Sequence, residues 1–215
     1  MTSTESCKRE SESNPDTIRQ YKVAKTEYPH VHQIYEPSSS IPLYTAYTPN
    51  SKTKGHKYDL IIYSGCSDLD AIIGAARLST ITNEIKLAFG DPEGPYPIWE
   101  DMKRKPFTGK NQYGLCVELP SGERRLFEWK STHDVHNFSD NPFSFARKID
   151  GFSYRVDHRH LKLVDLKSGD IVARFIHCPM IWPGKMGDVE IKRDFGGRDW
   201  DRIVILSSLA IQAAQ

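Results

Sequence analysis

An apolar helix is predicted at the very end of a chain whose preceding sequence is typical of β-sheet. Residues 199–214 begin with Asp199 and Asp201, which suit a helix N-terminus by capping and by their charge against the helix dipole. The large apolar residues that follow leave no broad polar face, and such a helix belongs in a core or in a membrane. About 16 residues are too few for a bilayer span of about 20 residues. We therefore expect the sheet to enclose this helix.

From residue 21 onward the sequence has the pattern of short strands separated by turns. Segments rich in aromatic and β-branched residues alternate with Gly, Pro, Asn and Asp. Gly122 and Gly169 occupy positions where tight hairpin reversals need positive φ. The predicted strands are 31–35, 43–47, 58–63, 71–78, 84–89, 113–119, 125–130, 152–156, 160–165, 171–176 and 188–192. This pattern favours a mainly β fold, a closed antiparallel β-barrel of about 11–12 strands around the C-terminal helix.

Two stretches lack the strand pattern. Residues 1–20 are rich in Ser, Glu, Thr and Asn. Such a stretch can bury too little apolar surface to offset the conformational entropy lost on ordering, so we expect a disordered tail. Residues 90–109 are rich in proline and contain three consecutive basic residues, which predicts a long surface excursion rather than regular structure. Residues 21–215 are therefore predicted to form one domain.

Charge and cysteine usage exclude several classes of protein. With 29 basic and 28 acidic side chains the net charge is +1, which removes the electrostatic basis for nucleic-acid binding. The four cysteines form no Cys-x-x-Cys pair, so neither a zinc site nor a dense disulfide framework is indicated. No apolar leader or membrane span is present in the sequence. We expect a cytoplasmic protein without a cofactor and without a transmembrane segment.

The sharpest chemical pattern is His30-Val31-His32 followed by Glu36. On a strand, residues at i, i+2 and i+6 share one face, and all three side chains are of metal-ligating type. Pro37 interrupts the strand directly after Glu36, and no later segment supplies a further ligand. The sequence favours histidines at the surface or on an edge strand over a metal site, and a metal site at these three residues remains the alternative.

Neither a catalytic motif nor a phosphate-binding loop is found in the sequence. Cys66, Cys116 and Cys178 are each candidates for a cysteine and histidine dyad, but the role of a small buried apolar residue is favoured. No catalytic residue is therefore nominated.

Basic residues occur in small clusters that could hold an anionic headgroup if the fold brought them together. The alternative is a mixed surface that keeps the domain in solution. A basic residue near an anionic membrane contributes about 1 kcal/mol to binding. The nominated ligand-binding residues are Lys103, Arg104, Lys105, Arg124, Arg125, Lys192 and Arg193.

Four segments carry a resemblance to a known superfamily. They are the sequence LFEWK at 126–130, the hairpin at 161–175, the sequence GDVEI at 187–191 and the terminal helix at 200–214. In this order, over roughly residues 40–215, they resemble the tubby C-terminal-like fold, which tubby proteins, phospholipid scramblases and plant LURP-one-related proteins share. Among the members of this superfamily, the small fungal proteins are the ones that this sequence resembles most in its general character.

The resemblance implies a closed barrel around a hydrophobic helix, and phosphoinositide binding is known for tubby itself. None of tubby's lipid-binding residues can be matched to a motif in this chain. The expected function is that of a non-catalytic binding or accessory protein that contacts anionic phospholipid at the membrane periphery, or a protein partner.

The alternative function is a small enzyme without a recognisable motif, such as a cyclase or isomerase of a biosynthetic pathway. Its pocket would be lined by aromatic side chains. The candidates for that lining are Tyr96, Trp99, Phe107 and Trp182.

Overall fold

The computed structural model shows twelve strands and one helix in the described part of the chain. The described residues are 17–49, 57–79, 81–82, 84–105, 112–119, 121–132, 160–178 and 184–215. The strands are β1 (Arg19–Lys25), β2 (Val31–Tyr35), β3 (Tyr44–Tyr47), β4 (Leu60–Tyr63), β5 (Ile72–Leu78), β6 (Glu84–Phe89), β7 (Ile98–Arg104), β8 (Gln112–Glu118), β9 (Arg124–Ser131), β10 (Leu161–Asp165), β11 (Ile171–His177) and β12 (Lys185–Ile191). The helix α1 spans Gly197–Ala213.

Each strand is antiparallel to its neighbours in sequence, and β1 closes the ring. β1 pairs with β2 on one side and with β12 on the other, where Tyr21 lies opposite Val189. Closure gives each of the described strands two hydrogen-bonded neighbours, which removes the exposed edges of an open sheet. The predictions of a mainly β fold and of a closed antiparallel barrel of about 11–12 strands are confirmed.

The helix α1 fills the barrel. Trp200, Asp201 and every residue from 203 to 212 are buried, a run of about three turns that leaves no exposed face. This is the distribution expected of a helix surrounded by sheet on all sides. The predicted enclosed helix over about 199–214 is confirmed, and it begins two residues earlier, at Gly197.

Contacts from two separate parts of the barrel wall hold α1 in place. The indole Nε1 of Trp129 in β9 donates a hydrogen bond of 3.0 Å to the Ser207 hydroxyl. On β5, Gly74 leaves space that the Leu206 side chain occupies, since a Cβ at Gly74 would lie 3.0 Å from Leu206 Cδ2. The helix therefore contacts the inner wall on more than one side.

The direction of α1 defines two ends of the barrel. At the amino end, the beginning of α1 meets the start of β1, where Asp201 accepts a hydrogen bond from the Tyr21 hydroxyl at 2.5 Å. The β8–β9 and β10–β11 turns lie at this same end, because they follow strands that run toward it. At the carboxyl end, the last turn of α1 lies near the β1–β2 turn and the start of β4.

The prediction of a surface excursion over 90–109 is wrong for residues 98–104, and residues 106–109 lie outside the described residues. Ile98–Arg104 is β7, which pairs with β6 from Glu84 opposite Lys103 to Phe89 opposite Ile98, and with β8 on its other side. Of its seven residues only Met102 is fully buried. Because the strand is mostly polar, no apolar alternation identifies it, and backbone pairing with its two neighbours is what makes it a strand.

The first strand is also absent from the predicted set. β1 begins at Arg19, within the last two residues of the stretch predicted as a tail, and its inward side chains are Tyr21 and Val23. Residues 1–16, which make up the rest of that predicted tail, and the predicted strand 152–156 lie outside the described residues.

Candidate functional site

A cavity of about 330 Å³ lies at the carboxyl end of the barrel, beside the last turn of α1. Its apolar lining consists of leucine, methionine, alanine and proline side chains from the strands and the helix. Its polar lining consists of His30, His32, Thr48, Asp59 and Gln212. An apolar wall with a few convergent polar groups is the usual composition of a small-molecule site.

The polar groups of the cavity are partly fixed by the surrounding backbone. Asp59 accepts a hydrogen bond of 2.7 Å from the Leu78 amide, which joins the start of β4 to the end of β5. The Thr48 hydroxyl donates to the carbonyl of His30 at 3.3 Å. Burial, and then the positive charges of Lys25 and His30, lower the pKa of His32 below 6.5. The His32 imidazole is therefore neutral at pH 7.

His32 should make the fold less stable in mild acid. Because its pKa is lower in the folded protein than its ordinary 6.5, the unfolded chain takes up the proton first as the pH falls. The contribution of neutral His32 to the free energy of unfolding is complete above pH 6.5. It is lost as the pH falls through the pKa of His32 in the folded protein. Urea unfolding from neutral to mildly acidic pH should show a steeper loss of unfolding free energy in the native protein than in His32→Gln. Equal slopes would contradict this assignment.

The three residues of the predicted metal pattern do not converge. His30 and His32 line the cavity at the carboxyl end, whereas Glu36 lies beyond the other end of β2 and is paired with Arg198 at 2.6 Å. Six residues of extended strand span about 20 Å, so sharing a face does not bring the first and last of them together. Among the described residues, no three His, Cys, Asp or Glu side chains are close enough to hold a metal ion.

Two of the three predicted basic clusters meet at the amino end of the barrel. The guanidinium of Arg125 lies 4.9 Å from the centroid of the Phe195 ring, and that of Arg193 lies 5.4 Å from it. Both arginines are neutralised there. Arg125 donates to both carboxylate oxygens of Asp165 at 3.1 and 2.6 Å, and Arg193 is paired with Asp170 at 3.0 Å.

The neighbours of these two arginines complete a balanced surface. Arg124 is paired with Glu100 at 2.8 Å, and Lys167 is paired with Glu123 at 2.8 Å. Lys192 follows the end of β12 and is half-buried. Because each of these arginines already has a carboxylate, the cluster has little positive charge left for an external anion.

The third predicted cluster lies at the other end of the barrel. Lys103 and Arg104 end β7, and Lys105 follows them and forms an ion pair with Glu128 of β9. The three predicted clusters therefore do not make one site, because β7 carries this one to the carboxyl end of the barrel.

A further set of cations lies on the outer wall and is not among the residues nominated from the sequence. Lys162 of β10 lies directly opposite Lys130 of β9 and directly opposite Arg174 of β11. Each is flanked by residues of the core, which places these three side chains on the outside. We call Lys130, Lys162 and Arg174 the basic row. Lys162 and Arg174 belong to the two strands of one hairpin, whereas the pairing of Lys162 with Lys130 depends on two strands about 30 positions apart.

Two carboxylates border the basic row, and both are buried. Glu128 is 2% exposed, and it is shared by Lys105 and by Lys130, which lies at 2.8 Å. Glu190 lies opposite Arg174 on β12 and is 8% exposed. Burial raises the pKa of Glu190 against the opposing charges of Lys192 and Arg174. Because Glu128 also pairs with Lys105, these two described carboxylates are outnumbered by the cations around them.

The aromatic residues proposed for an enzyme pocket do not line the cavity. Tyr96 is 91% exposed. Trp99 lies on the outer face of β7, where its ring stacks on Tyr58 at 6.2 Å and the guanidinium of Arg77 lies 4.8 Å from its centroid. Phe107 and Trp182 lie outside the described residues. No described aromatic side chain is part of the cavity wall.

The three described cysteines differ in exposure, and Cys178 lacks the environment of a reactive nucleophile. Cys66 is exposed, Cys116 and Cys178 are half-buried, and all three are free thiols. Burial raises the pKa of the Cys178 thiol, the opposite of what a reactive thiolate requires.

The comparisons with known proteins give no assignment. No family model matches the sequence, no curated protein matches it, and no solved structure matches the fold. Within the described residues, no helix combines the length and the apolar composition of a membrane span. Any functional proposal for this chain therefore rests on its fold and on the geometry of its surfaces.

Proposed function

We propose that this protein is a non-catalytic binding protein of the tubby-like superfamily that contacts the headgroups of anionic phospholipids through its basic row. The proposal places it in the cytoplasm, at the membrane periphery. The observation that carries it is the direct cross-strand juxtaposition of Lys130, Lys162 and Arg174 on the outer wall.

Three cations in direct register repel one another, and the described carboxylates beside them lie next to Lys130 and opposite Arg174 rather than at Lys162. Like charges directly opposite each other on neighbouring strands destabilise a sheet, by up to about 1 kcal/mol for each pair. Lys162 lies between the other two and has no carboxylate within ion-pair distance among the described residues. A phosphate group over the row would remove this repulsion and accept charge-assisted hydrogen bonds.

The row also continues toward the third predicted cluster. The Lys105 amide donates to the Gln112 carbonyl at 2.9 Å, and Gln112 lies opposite Lys130. Two side chains of this band stay partly accessible, since that of Lys105 is 48% exposed and that of Lys130 is 32% exposed. The band therefore presents several cations to a surface rather than one isolated charge.

The amino-end arginines are not the proposed contact. Arg124, Arg125 and Arg193 each have a carboxylate partner of their own, and a cation that is already paired contributes little further attraction. In the basic row Lys130 shares Glu128 with Lys105, and Lys162 has no carboxylate partner among the described residues. This refines the sequence expectation: of the seven nominated residues, Lys105 adjoins the proposed surface, and Arg124, Arg125 and Arg193 belong to a neutralised one.

Flotation with vesicles tests the proposal. The full chain should float with phosphatidylcholine vesicles that contain phosphatidylserine and should not float with phosphatidylcholine alone. Replacing Lys130 and Lys162 by alanine together should weaken binding by about 2 kcal/mol, or about 30-fold, because each cation contributes about 1 kcal/mol.

Two control variants separate the basic row from general charge. Lys86→Ala removes a lysine from the outer face of β6, away from the row, and should leave flotation unchanged. The double variant Arg124→Ala and Arg193→Ala tests the amino end and should also leave it unchanged. Equal flotation with neutral vesicles, or an unchanged Lys130 and Lys162 double variant, would refute the proposal.

A further inference from the structure

We propose that the cavity at the carboxyl end of the barrel binds a small organic cation, an ammonium group carried on a compact apolar body. This inference does not depend on the proposed lipid contact, because the cavity and the basic row are lined by different residues.

The charge of the cavity supports a cationic ligand. Asp59 is a carboxylate in the lining, and one of its oxygens is already engaged by the Leu78 amide. The cavity also borders the carboxyl end of α1, through Leu209, Gln212 and Ala213. Helix carbonyls at this end carry a partial negative charge equivalent to about half an electron. Asp59 and the carboxyl end of α1 therefore both favour a positively charged ligand.

The helix end has no cation of its own to offset that charge. The last turn of α1 contains no basic residue. Lysine, arginine or histidine in the last turn is the usual way in which a protein complements this end of a helix. A bound ammonium group would take that role here.

The two histidines in the lining differ in their effect on a cation, since His30 contributes positive charge and His32 does not. His32 is neutral at pH 7, because burial and nearby positive charge lower its pKa. A neutral imidazole can accept a hydrogen bond from an ammonium group through its unprotonated nitrogen. The positive charge of Lys25 in β1 helps to lower the pKa of His32, but Lys25 is not part of the cavity lining.

The size and the apolar wall define the body of the ligand. The volume of about 330 Å³ is that of a small-molecule site, and Leu60, Leu78 and Met186 provide apolar contacts. A purely polar ion would leave these side chains without a partner, so we infer an apolar body beside the charged group.

Three molecules of matched shape and different charge test the inference on the unmodified protein. The probes are cyclohexylammonium, cyclohexanol and cyclohexanecarboxylate, and binding is measured by isothermal titration calorimetry and by chemical shifts in NMR spectra. Cyclohexylammonium should bind at least about ten-fold more tightly than cyclohexanol, the effect of one charged hydrogen bond, and the carboxylate should bind most weakly. Absence of cyclohexylammonium binding at millimolar concentration, or a preference for the alcohol or the carboxylate, would overturn the inference.

A matched pair of variants locates the site. Asp59→Asn keeps an oxygen for the Leu78 amide and removes the charge, so it should weaken cyclohexylammonium about ten-fold and leave cyclohexanol unchanged. Asp91→Asn is the control, because Asp91 also accepts from a backbone amide, that of Glu93 at 2.9 Å, outside the cavity. Unchanged affinity in Asp59→Asn, with folding verified by circular dichroism, would place the cation elsewhere and refute the proposed site.

Discussion

Replacing Asp201 by alanine should lower the free energy of unfolding by about 3–5 kcal/mol, the usual cost of removing one partner of a buried ion pair. Asp201 is fully buried near the start of α1. Its carboxylate accepts hydrogen bonds from Arg19 at 2.8 and 3.0 Å and from the Tyr21 hydroxyl at 2.5 Å. The substitution would leave the Tyr21 hydroxyl buried without its acceptor and would disconnect the helix from β1.

The geometry around Asp201 explains why the loss is not easily compensated. Burial, and then the hydrogen bond to Asp201, raise the pKa of Tyr21, so its hydroxyl stays protonated and needs an acceptor. Arg19 retains Asp194, at 3.0 Å, but that pair is partly exposed and contributes little by itself.

Urea unfolding monitored by circular dichroism measures the effect, and Asp199→Ala is the matched control. Asp199 lies two residues earlier, in the first turn of α1, but its side chain is 73% exposed and its partner is Arg202, one turn along the helix. Its loss should cost less than about 1 kcal/mol. Similar losses in the two variants would mean that Asp201 does not anchor the helix.

Replacing Gly187 by alanine should destabilise the barrel by about 3 kcal/mol, the upper part of the range for overpacking. Gly187 lies in β12 between Val23 of β1 and His177 of β11. A Cβ at this position would overlap the backbone carbonyl oxygen of Ile176 and would lie 3.1 Å from Cζ of Phe175. Because the obstacle is backbone, no side-chain rotation relieves it, and the two strands must separate.

Gly114→Ala in β8 is the control for Gly187→Ala. A Cβ at Gly114 would meet nothing within 4 Å, and this glycine does not have a positive φ. Alanine there should be neutral or should stabilise the protein by less than about 1 kcal/mol, because it reduces the entropy of the unfolded chain. Thermal unfolding of both variants distinguishes a local backbone clash at Gly187 from a general sensitivity of the strands to substitution.

Features with a local origin were predictable. The helix α1 is apolar on every side, and its sequence alone shows that it must be enclosed. Gly169 has a φ of 82°, and it ends a turn that sets Lys162 opposite Arg174. In both cases the structure is set by residues that are close along the chain. The helix is set by the spacing of its apolar residues, and the turn is set by the backbone conformation of one glycine.

Features that depend on distant pairing were not predictable. β7 is a strand because β6 and β8 hydrogen-bond to it, although its side chains are mostly polar. His30 and Glu36 form a plausible pair of metal ligands in the sequence, but the length of β2 places them at opposite ends of the barrel.

The sequence by itself determined a β-barrel with an internal helix, because alternation and apolar periodicity are local properties of the chain. Closure of the sheet decided which charges meet. It placed Arg125 and Arg193 on one aromatic ring beside carboxylates that neutralise them, and it aligned Lys130 with Lys162 on the outer wall. The partner of a charged side chain cannot be predicted from the neighbouring sequence, because only the cross-strand register brings the two groups within a few ångströms of each other.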